Sequence, residues 1–154
     1  MLTLECISFQ YSQQAPALHE VSLELKADDF MALAGHNGSG KTTLTRLVMG
    51  LVKPTGGRIL LDEEDLSSRS TAQRARHIGY VFQNPDRQIF RDTVALEVAY
   101  GPQQLGFSAA ETSEAVAKAL QAVSLADQAQ ADPRLLPKGL KQRVGLAHAM
   151  IDDP

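Results

Sequence analysis

Phe30-Met31-Ala32-Leu33-Ala34 followed by Gly35-His36-Asn37-Gly38-Ser39-Gly40-Lys41-Thr42 is the stretch whose reading decides the fold. Five apolar residues in a row, ended by a glycine, have the pattern of a strand covered on both faces, which predicts a place in a central parallel sheet. Beyond the glycines, Leu44, Leu47, Val48 and Leu51 fall at i, i+3, i+4 and i+7 and form one helical face that stops near Gly50 and the turn Pro54-Thr55-Gly56-Gly57. The order is strand, glycine loop, helix.

GHNGSGKT matches Gly, four residues, Gly, Lys, then Ser or Thr, the phosphate-loop pattern. Glycines permit backbone angles that a Cβ would penalise, so the N–H groups of Gly38, Ser39, Gly40 and Lys41 can converge on a polyphosphate at the positive end of the helix. Lys41 would set a point charge between the β- and γ-phosphates, and the Thr42 hydroxyl would ligate Mg²⁺.

Upstream, Leu2, Leu4 and Cys6 alternate with polar residues, as do Val21, Leu23 and Leu25, predicting two half-buried strands in an antiparallel edge sheet, with Tyr11 and Pro16 in the loop between. Downstream, Ile59-Leu60-Leu61 reads as a short strand, Ser70 to Arg76 as a polar helical stretch, and Ile78-Gly79-Tyr80-Val81-Phe82 as a second buried strand ended by the turn Gln83-Asn84-Pro85-Asp86. From Asp92 to Ser124 the chain turns alanine-rich and helical, with Val94 and Val98 on one face, a break expected at Gly101-Pro102, and a capping box from Ser108 to Glu111. A last helix carries Leu140, Val144, Ala147 and Ile151 on one stripe.

Composition narrows the function classes. The 154 residues carry 15 basic and 18 acidic side chains, a net −3 that gives no electrostatic reason to expect nucleic acid. The longest apolar run is far short of the roughly 20 residues that cross a bilayer. MLTLECISFQ does not resemble a secretory leader, so a cytosolic location is expected. Cys6 is the single cysteine, expected as core filler, and His19, His36, His77 and His148 show no paired metal-ligand spacing.

The order GHNGSGKT, VFQNPDRQIF, a helical block, then LLPKGLKQRV resembles the ATP-binding subunit of ABC transporters. NPDRQIF with TVALEVAYGPQQLG is similar to the energy-coupling factor group, which powers uptake of cobalt, nickel or vitamins. The resemblance implies an α/β phosphate-loop ATPase with an antiparallel β edge subdomain and a helical subdomain, organised as 1–91, 92–135 and 136–154. It implies ATP and Mg²⁺ as cofactors. Tyr11 would stack on adenine, Gly35, Asn37, Gly38, Ser39, Gly40, Lys41, Thr42 and Thr43 would hold the phosphates, and Gln83 would touch Mg²⁺ and the attacking water. Asn84, Pro85, Asp86, Arg87 and Gln88 would border a surface for a transmembrane subunit. A second ATP-binding subunit, identical or paralogous, would complete the assembly on the cytoplasmic face of the membrane.

The pattern breaks in two places. The family's Leu-Ser-Gly-Gly-Gln signature should start at Leu136, where this chain has Leu136-Pro137-Lys138-Gly139-Leu140 before Lys141-Gln142-Arg143. Pro137 has neither N–H nor hydroxyl, and Lys138 adds bulk and charge, so the half-site it completes should be weak. The acidic strand that supplies a Mg²⁺ ligand and the general base is expected about six residues beyond Pro154, with a switch histidine later still. Ile151-Asp152-Asp153-Pro154 follows a helical period, not an apolar strand. A domain of this kind needs roughly 230 residues, so the chain reads as about its first two-thirds, and Phe30–Ala34 and Ile78–Phe82 should lack ladder partners and expose apolar edges. The rivals are a non-catalytic ATP-binding regulatory subunit and a different phosphate-loop enzyme, a kinase or GTPase. No Asn-Lys-x-Asp guanine-reading motif is present.

Overall fold

Strand β1 (Leu2–Gln10) lies between two antiparallel neighbours, β2 (Pro16–Leu25) and β3 (Gly56–Leu61), with the two-residue β4 (Glu64–Asp65) beyond β3, so the sheet order is β2-β1-β3-β4. The computed structural model describes residues 1–12 and 15–151, the Arg87 side chain excepted. The expected Asp152-Asp153 reading therefore lies outside the described residues. The chain forms two compact units, Met1–Arg74 and Ala75–Pro154.

In the first unit, Leu4 pairs with Leu23 on one side and Ile59 on the other, and Leu4, Ile7, Phe9, Leu18 and Ile59 are buried. Alternation breaks after Leu4: the ladder to β2 shifts register between Leu4 and Ile7, the ladder to β3 between Glu5 and Ser8, and Cys6 takes φ 48°. This bulge turns Cys6 out to solvent, so it is not core filler: an extra residue in one strand moves the inward position to Ile7. The Cys6 amide donates to Ser22 Oγ at 2.9 Å. Gly57, at φ +80°, faces the bulge; a Cβ there would lie 2.3 Å from Glu5 O and 2.5 Å from Cys6 O.

Helix α1 (Lys41–Val48) buries Thr43, Leu44 and Leu47. It is shorter than the apolar spacing predicts. The chain turns left-handed at Gly50 (φ 72°), and Leu51 is exposed instead of continuing the face. The short helix α2 (Thr71–Arg74) returns the buried Arg74 to the end of α1, where its Nη1 donates to Leu47 O at 2.9 Å and Val48 O at 2.8 Å.

Two expected strands are absent among the described residues. Phe30–Ala34 has no regular structure, and Phe30 is 98% exposed, with Met31 and Leu33 also exposed. Ile78–Phe82 likewise forms no ladder, and Val81 and Phe82 are exposed. A strand exists only where a neighbour takes its N–H and C=O groups, and no segment here pairs with either. The expectation of unpartnered apolar edges holds; placement in a central parallel sheet does not.

The second unit is built on α3 (Val94–Leu105), α4 (Ala109–Ala122) and α5 (Lys138–Met150), around buried Val94, Val98, Leu120, Leu125, Val144 and Ala147. The Ser108 hydroxyl accepts the Glu111 amide and the Glu111 carboxylate accepts the Ser108 amide, the expected capping box. The expected break at Gly101-Pro102 is not found. Pro102 is buried inside α3, which runs on until Gly106 turns left-handed at φ 88° and Phe107 N bonds back to Pro102 O. Gly79 brings the 78–82 segment onto α5, since a Cβ there would lie 2.5 Å from Ala149 O. No helix among the described residues is long and apolar enough to cross a membrane.

Gly57 and Gly106 share a positive φ but differ in surroundings, because nothing lies within 4 Å of the Cβ position at Gly106. Gly106→Ala should cost about 1–2 kcal/mol, the left-handed penalty alone. Gly57→Ala should cost about 1–3 kcal/mol more through overlap with the bulge carbonyls. Urea midpoints of the two variants measure the difference, and equal values would contradict it.

Candidate functional site

The loop 35–40 enters α1 through two left-handed glycines, Gly38 (φ 86°) and Gly40 (φ 87°), of which Gly40 is the N-cap. A Cβ at Gly40 would lie 2.7 Å from Ala17 O and 2.6 Å from Leu18 Cδ2, so only glycine fits this junction. The cap has no side chain to bond the first-turn amides, and no acidic residue stands in that turn. The N–H groups of Lys41, Thr42 and Thr43 precede the first intrahelical bond and face the positive end of the helix dipole.

At the same end, Lys41 Nζ donates to Gly35 O at 2.7 Å, His36 O at 2.9 Å and Ser39 Oγ at 3.3 Å. Ser39 N closes the loop on His36 O at 3.2 Å, and His36 Nδ1 meets Asn37 O at 2.8 Å. The ammonium has three donors and all three are used on the loop's own oxygens. These are neutral acceptors, which a phosphate oxygen can replace with a stronger, charge-assisted bond. The expected residues Gly35, Asn37, Gly38, Ser39, Gly40, Lys41, Thr42 and Thr43 are thus one local structure. The hydroxyl of exposed Thr42 is a hard oxygen donor of the kind Mg²⁺ takes, so the loop fits both a polyphosphate and its metal.

Tyr11 follows β1 directly and is half-buried. Its ring meets Phe9 edge-on at 4.7 Å, and its hydroxyl lies 3.4 Å from Thr43 Oγ1 in the first turn of α1. The Thr43 hydrogen bond draws the phenol pKa below its ordinary value, with burial opposing and the Arg46 guanidinium adding to the lowering. The ring is both packed on a strand end and tied to the phosphate-loop helix.

Gln83 is an exposed residue of the second unit, in the bend after Phe82. The turn beyond it is anchored at several points. Asn84 Oδ1 accepts the Asp86 amide at 3.1 Å, Pro85–Arg87 make one 3₁₀ turn, and Asp86 Oδ1 accepts from Lys141 Nζ on α5 at 2.7 Å. Gln88 lies against Gly145, its Oε1 3.0 Å from where a Cβ would stand. Glu97, 1% exposed, accepts the Phe90 amide at 2.9 Å and the Arg91 amide at 2.8 Å on Oε2. Phe90 and Tyr100 meet edge-on at 4.8 Å, with Arg91 over both rings.

Glu97 was not among the residues expected at the site. The signal was present: Val94, Glu97 and Val98 share one face at i, i+3 and i+4, so a carboxylate stands on a buried stripe and must find donors. Arg74 was also missed, and no local pattern marks it.

The altered signature forms the start of α5. Pro137 is the N-cap without a side-chain bond, and its carbonyl accepts the amides of Leu140 at 2.9 Å and Lys141 at 3.0 Å. Lys138 and Gly139 are exposed. This helix start offers a cationic side chain but no hydroxyl.

A family model described as ABC transporter matches residues 18–154. A putative ABC transporter ATP-binding protein of Pyrococcus furiosus is 42% identical over 154 residues, covering 100% of this chain and 59% of that protein. The energy-coupling factor transporter ATP-binding protein EcfA1 of Symbiobacterium thermophilum is 38% identical over 162 residues, covering 99% of this chain and 56% of its own length. Among solved structures, cbiO1 from Clostridium perfringens, described as part of the ABC transporter complex cbiONQ, superposes with a TM-score of 0.88 at 31% identity over 99% of this chain and 62% of that one. The chain therefore spans about 60% of the length of these three proteins and about a quarter of the length of other putative ABC transporter ATP-binding proteins it matches. With a phosphate loop at the head of α1, an antiparallel sheet beside it and a helical unit after it, the chain belongs to the ABC transporter family.

Proposed function

We propose that this chain is the nucleotide-binding portion of an ABC importer of the energy-coupling factor type, which couples ATP binding and hydrolysis to uptake of a metal ion or vitamin. The observation that carries the reading is the joining, at one end of α1, of the Lys41 ammonium with the amides of a first turn that contains no acidic residue. Gly35, Asn37, Gly38, Ser39, Gly40, Lys41, Thr42 and Thr43 hold the phosphates, with Thr42 also a Mg²⁺ ligand. Tyr11 takes the base, and Gln83 is the second Mg²⁺ contact and the switch toward the attacking water. Mg²⁺, when bound, neutralises phosphate charge and orients the polyphosphate.

The likeness to EcfA1 and to a member of the cbiONQ complex supports a transmembrane partner and a membrane-peripheral place on the cytoplasmic face. The segments 1–91, 92–135 and 136–154 act as nucleotide core with β subdomain, helical subdomain and signature segment. Asn84 to Gln88 are the surface for the transmembrane partner, and the second ATP-binding subunit is an identical copy or a paralogue. The 154 residues contain no apolar strand ending in Asp-Glu to supply the general base, so the isolated chain binds nucleotide weakly and does not turn it over. The regulatory reading is favoured by one observation, the Pro137 cap, which lacks the hydroxyl that a productive half-site uses. The family match over 18–154 separates both readings from phosphate-loop kinases and GTPases.

Lys41→Ala should weaken Mg-ATP binding by at least about tenfold, roughly 1.4 kcal/mol, in calorimetry; unchanged affinity would remove the phosphate-loop reading. Thermal shifts should be larger with ATP than GTP and should require Mg²⁺.

In the assembled transporter, Pro137→Ser with Lys138→Gly should raise ATP turnover, because it restores a hydroxyl and a bare N–H at the α5 start. Turnover unaffected by Lys41→Ala, with assembly lost, would instead establish the regulatory role.

A further inference from the structure

The first unit holds a second cationic feature, at the end of α1 remote from the phosphate loop. A cavity of about 600 Å³ opens between the Lys53–Gly57 turn and the Ser67–Arg74 segment, lined by Lys53, Arg69 and Arg74 together with serine and threonine residues and no carboxylate. That volume is in the range of small-molecule sites.

Arg74 is the unusual member. It is 5% exposed, and its guanidinium bonds only to neutral carbonyls: Nε to Arg69 O at 3.3 Å, Nη1 to Leu47 O and Val48 O, and Nη2 to Leu66 O at 2.6 Å. A guanidinium has five N–H donors, so one hydrogen on Nη2 is left over. Among the described residues no carboxylate is within ion-pair distance of Arg74. Asp65 attracts it only through space, and its own oxygen is committed to the Ser67 amide. Burial pushes the Arg74 pKa below its ordinary range, the cost of desolvating its charge, which the attraction of Asp65 opposes. Gly50 makes room for the group, since a Cβ there would lie 2.9 Å from Nε.

The other cations of the cavity add to the same field. Lys53 is exposed and has no ion-pair partner among the described residues, and Arg69 pairs with Glu64, which lies outside the lining. Lys53 and Arg74 therefore have no ion-pair partner among the described residues, and Arg74 is already desolvated. Such a site lowers its energy by admitting an anion.

We propose that this cavity is a second anion site, which binds a phosphate-bearing ligand between Lys53, Arg69 and Arg74, independently of the phosphate loop. Its ligand is a small phosphorylated molecule or a phospholipid headgroup, which share the same phosphate chemistry. A phosphate oxygen takes the remaining Arg74 N–H, and Lys53 closes over the outer face. The site does not depend on the transporter reading, because none of its residues belongs to the phosphate loop.

Inorganic pyrophosphate is titrated by calorimetry into the protein saturated with Mg-ADP and, separately, into the Lys41→Ala variant. A binding event that persists in both, and that Lys53→Glu combined with Arg69→Gln weakens at least about tenfold without altering Mg-ADP affinity, supports the site. Co-sedimentation with phosphatidylcholine vesicles containing about one-third phosphatidylglycerol distinguishes the source: vesicle binding lost in Lys53→Glu, with little pyrophosphate binding, assigns a headgroup. Arg74→Met also removes the α1 end cap and can unfold the unit, so the decision rests on the exposed Lys53. Absence of both pyrophosphate and vesicle binding, or binding that Lys53→Glu leaves intact, overturns the proposal.

Discussion

An α-helix cannot satisfy its own ends, and the first unit is organised around how the two ends of α1 are treated. Its N-terminal amides follow Gly40, a cap with no side chain, so they stay available for a ligand. Its C-terminal carbonyls of Leu47 and Val48 are closed by Arg74, the end of a separate short helix. One end is left to an exchangeable partner and the other is locked by the chain itself. The asymmetry suits a helix whose dipole must act on something outside the protein. Lys41 reinforces it, because its ammonium rests on the carbonyls of Gly35 and His36 and holds positive charge at the mouth of the loop.

The second unit applies the same rule to a turn. The Asn84–Gln88 turn and the residues after it have amides that no sheet satisfies, and side chains take them: exposed Asn84 caps its own turn, and buried Glu97 gathers the amides of Phe90 and Arg91. Lys141 pins Asp86 from α5. A carboxyl group accepting two N–H bonds at 1% exposure is a strong positional constraint, because releasing an amide loses a buried hydrogen bond that water cannot replace there. The start of α5 lacks such an arrangement. Its cap is Pro137, so α5 is held through its apolar stripe of Val144, Ala147 and Ile151 and through the Lys141–Asp86 pair instead of through a side-chain cap.

What was legible in the sequence was what local chemistry decides. The glycine spacing of the phosphate loop, the Ser108–Glu111 capping box and the Val94–Val98 stripe each involve residues within a few positions of one another, and each is found as read. The misreadings were decided by partners far away in the chain. Cys6 alternates correctly with Leu4, but the Gly57 backbone presses on residues 5 and 6 and turns the strand over at a bulge. Pro102 looks like a helix breaker, yet it is buried inside α3, and that burial offsets the lost hydrogen bond and ring clash, which together cost about 3 kcal/mol. Arg74 sits in a polar stretch with nothing to mark it, because the two acceptors that tie it to α1, Leu47 O and Val48 O, lie more than twenty residues away.

Phe30–Ala34 links fold to site most directly. Its composition asks for cover on both faces, and it stands exposed immediately before Gly35, whose carbonyl is one of the oxygens that Lys41 holds. Backbone fixed by ladder bonds on both sides loses its conformational freedom once, on folding, whereas an unpaired segment loses it again each time the loop orders around a ligand, at about 1–2 kcal/mol per residue. Pairing of this run therefore acts on affinity at the loop without touching the phosphate. The Pyrococcus furiosus and Clostridium perfringens proteins this chain matches are each longer than these 154 residues, which cover 59% and 62% of them. A preformed loop and a covered Phe30–Ala34 strand are, on this argument, the same requirement seen from two sides.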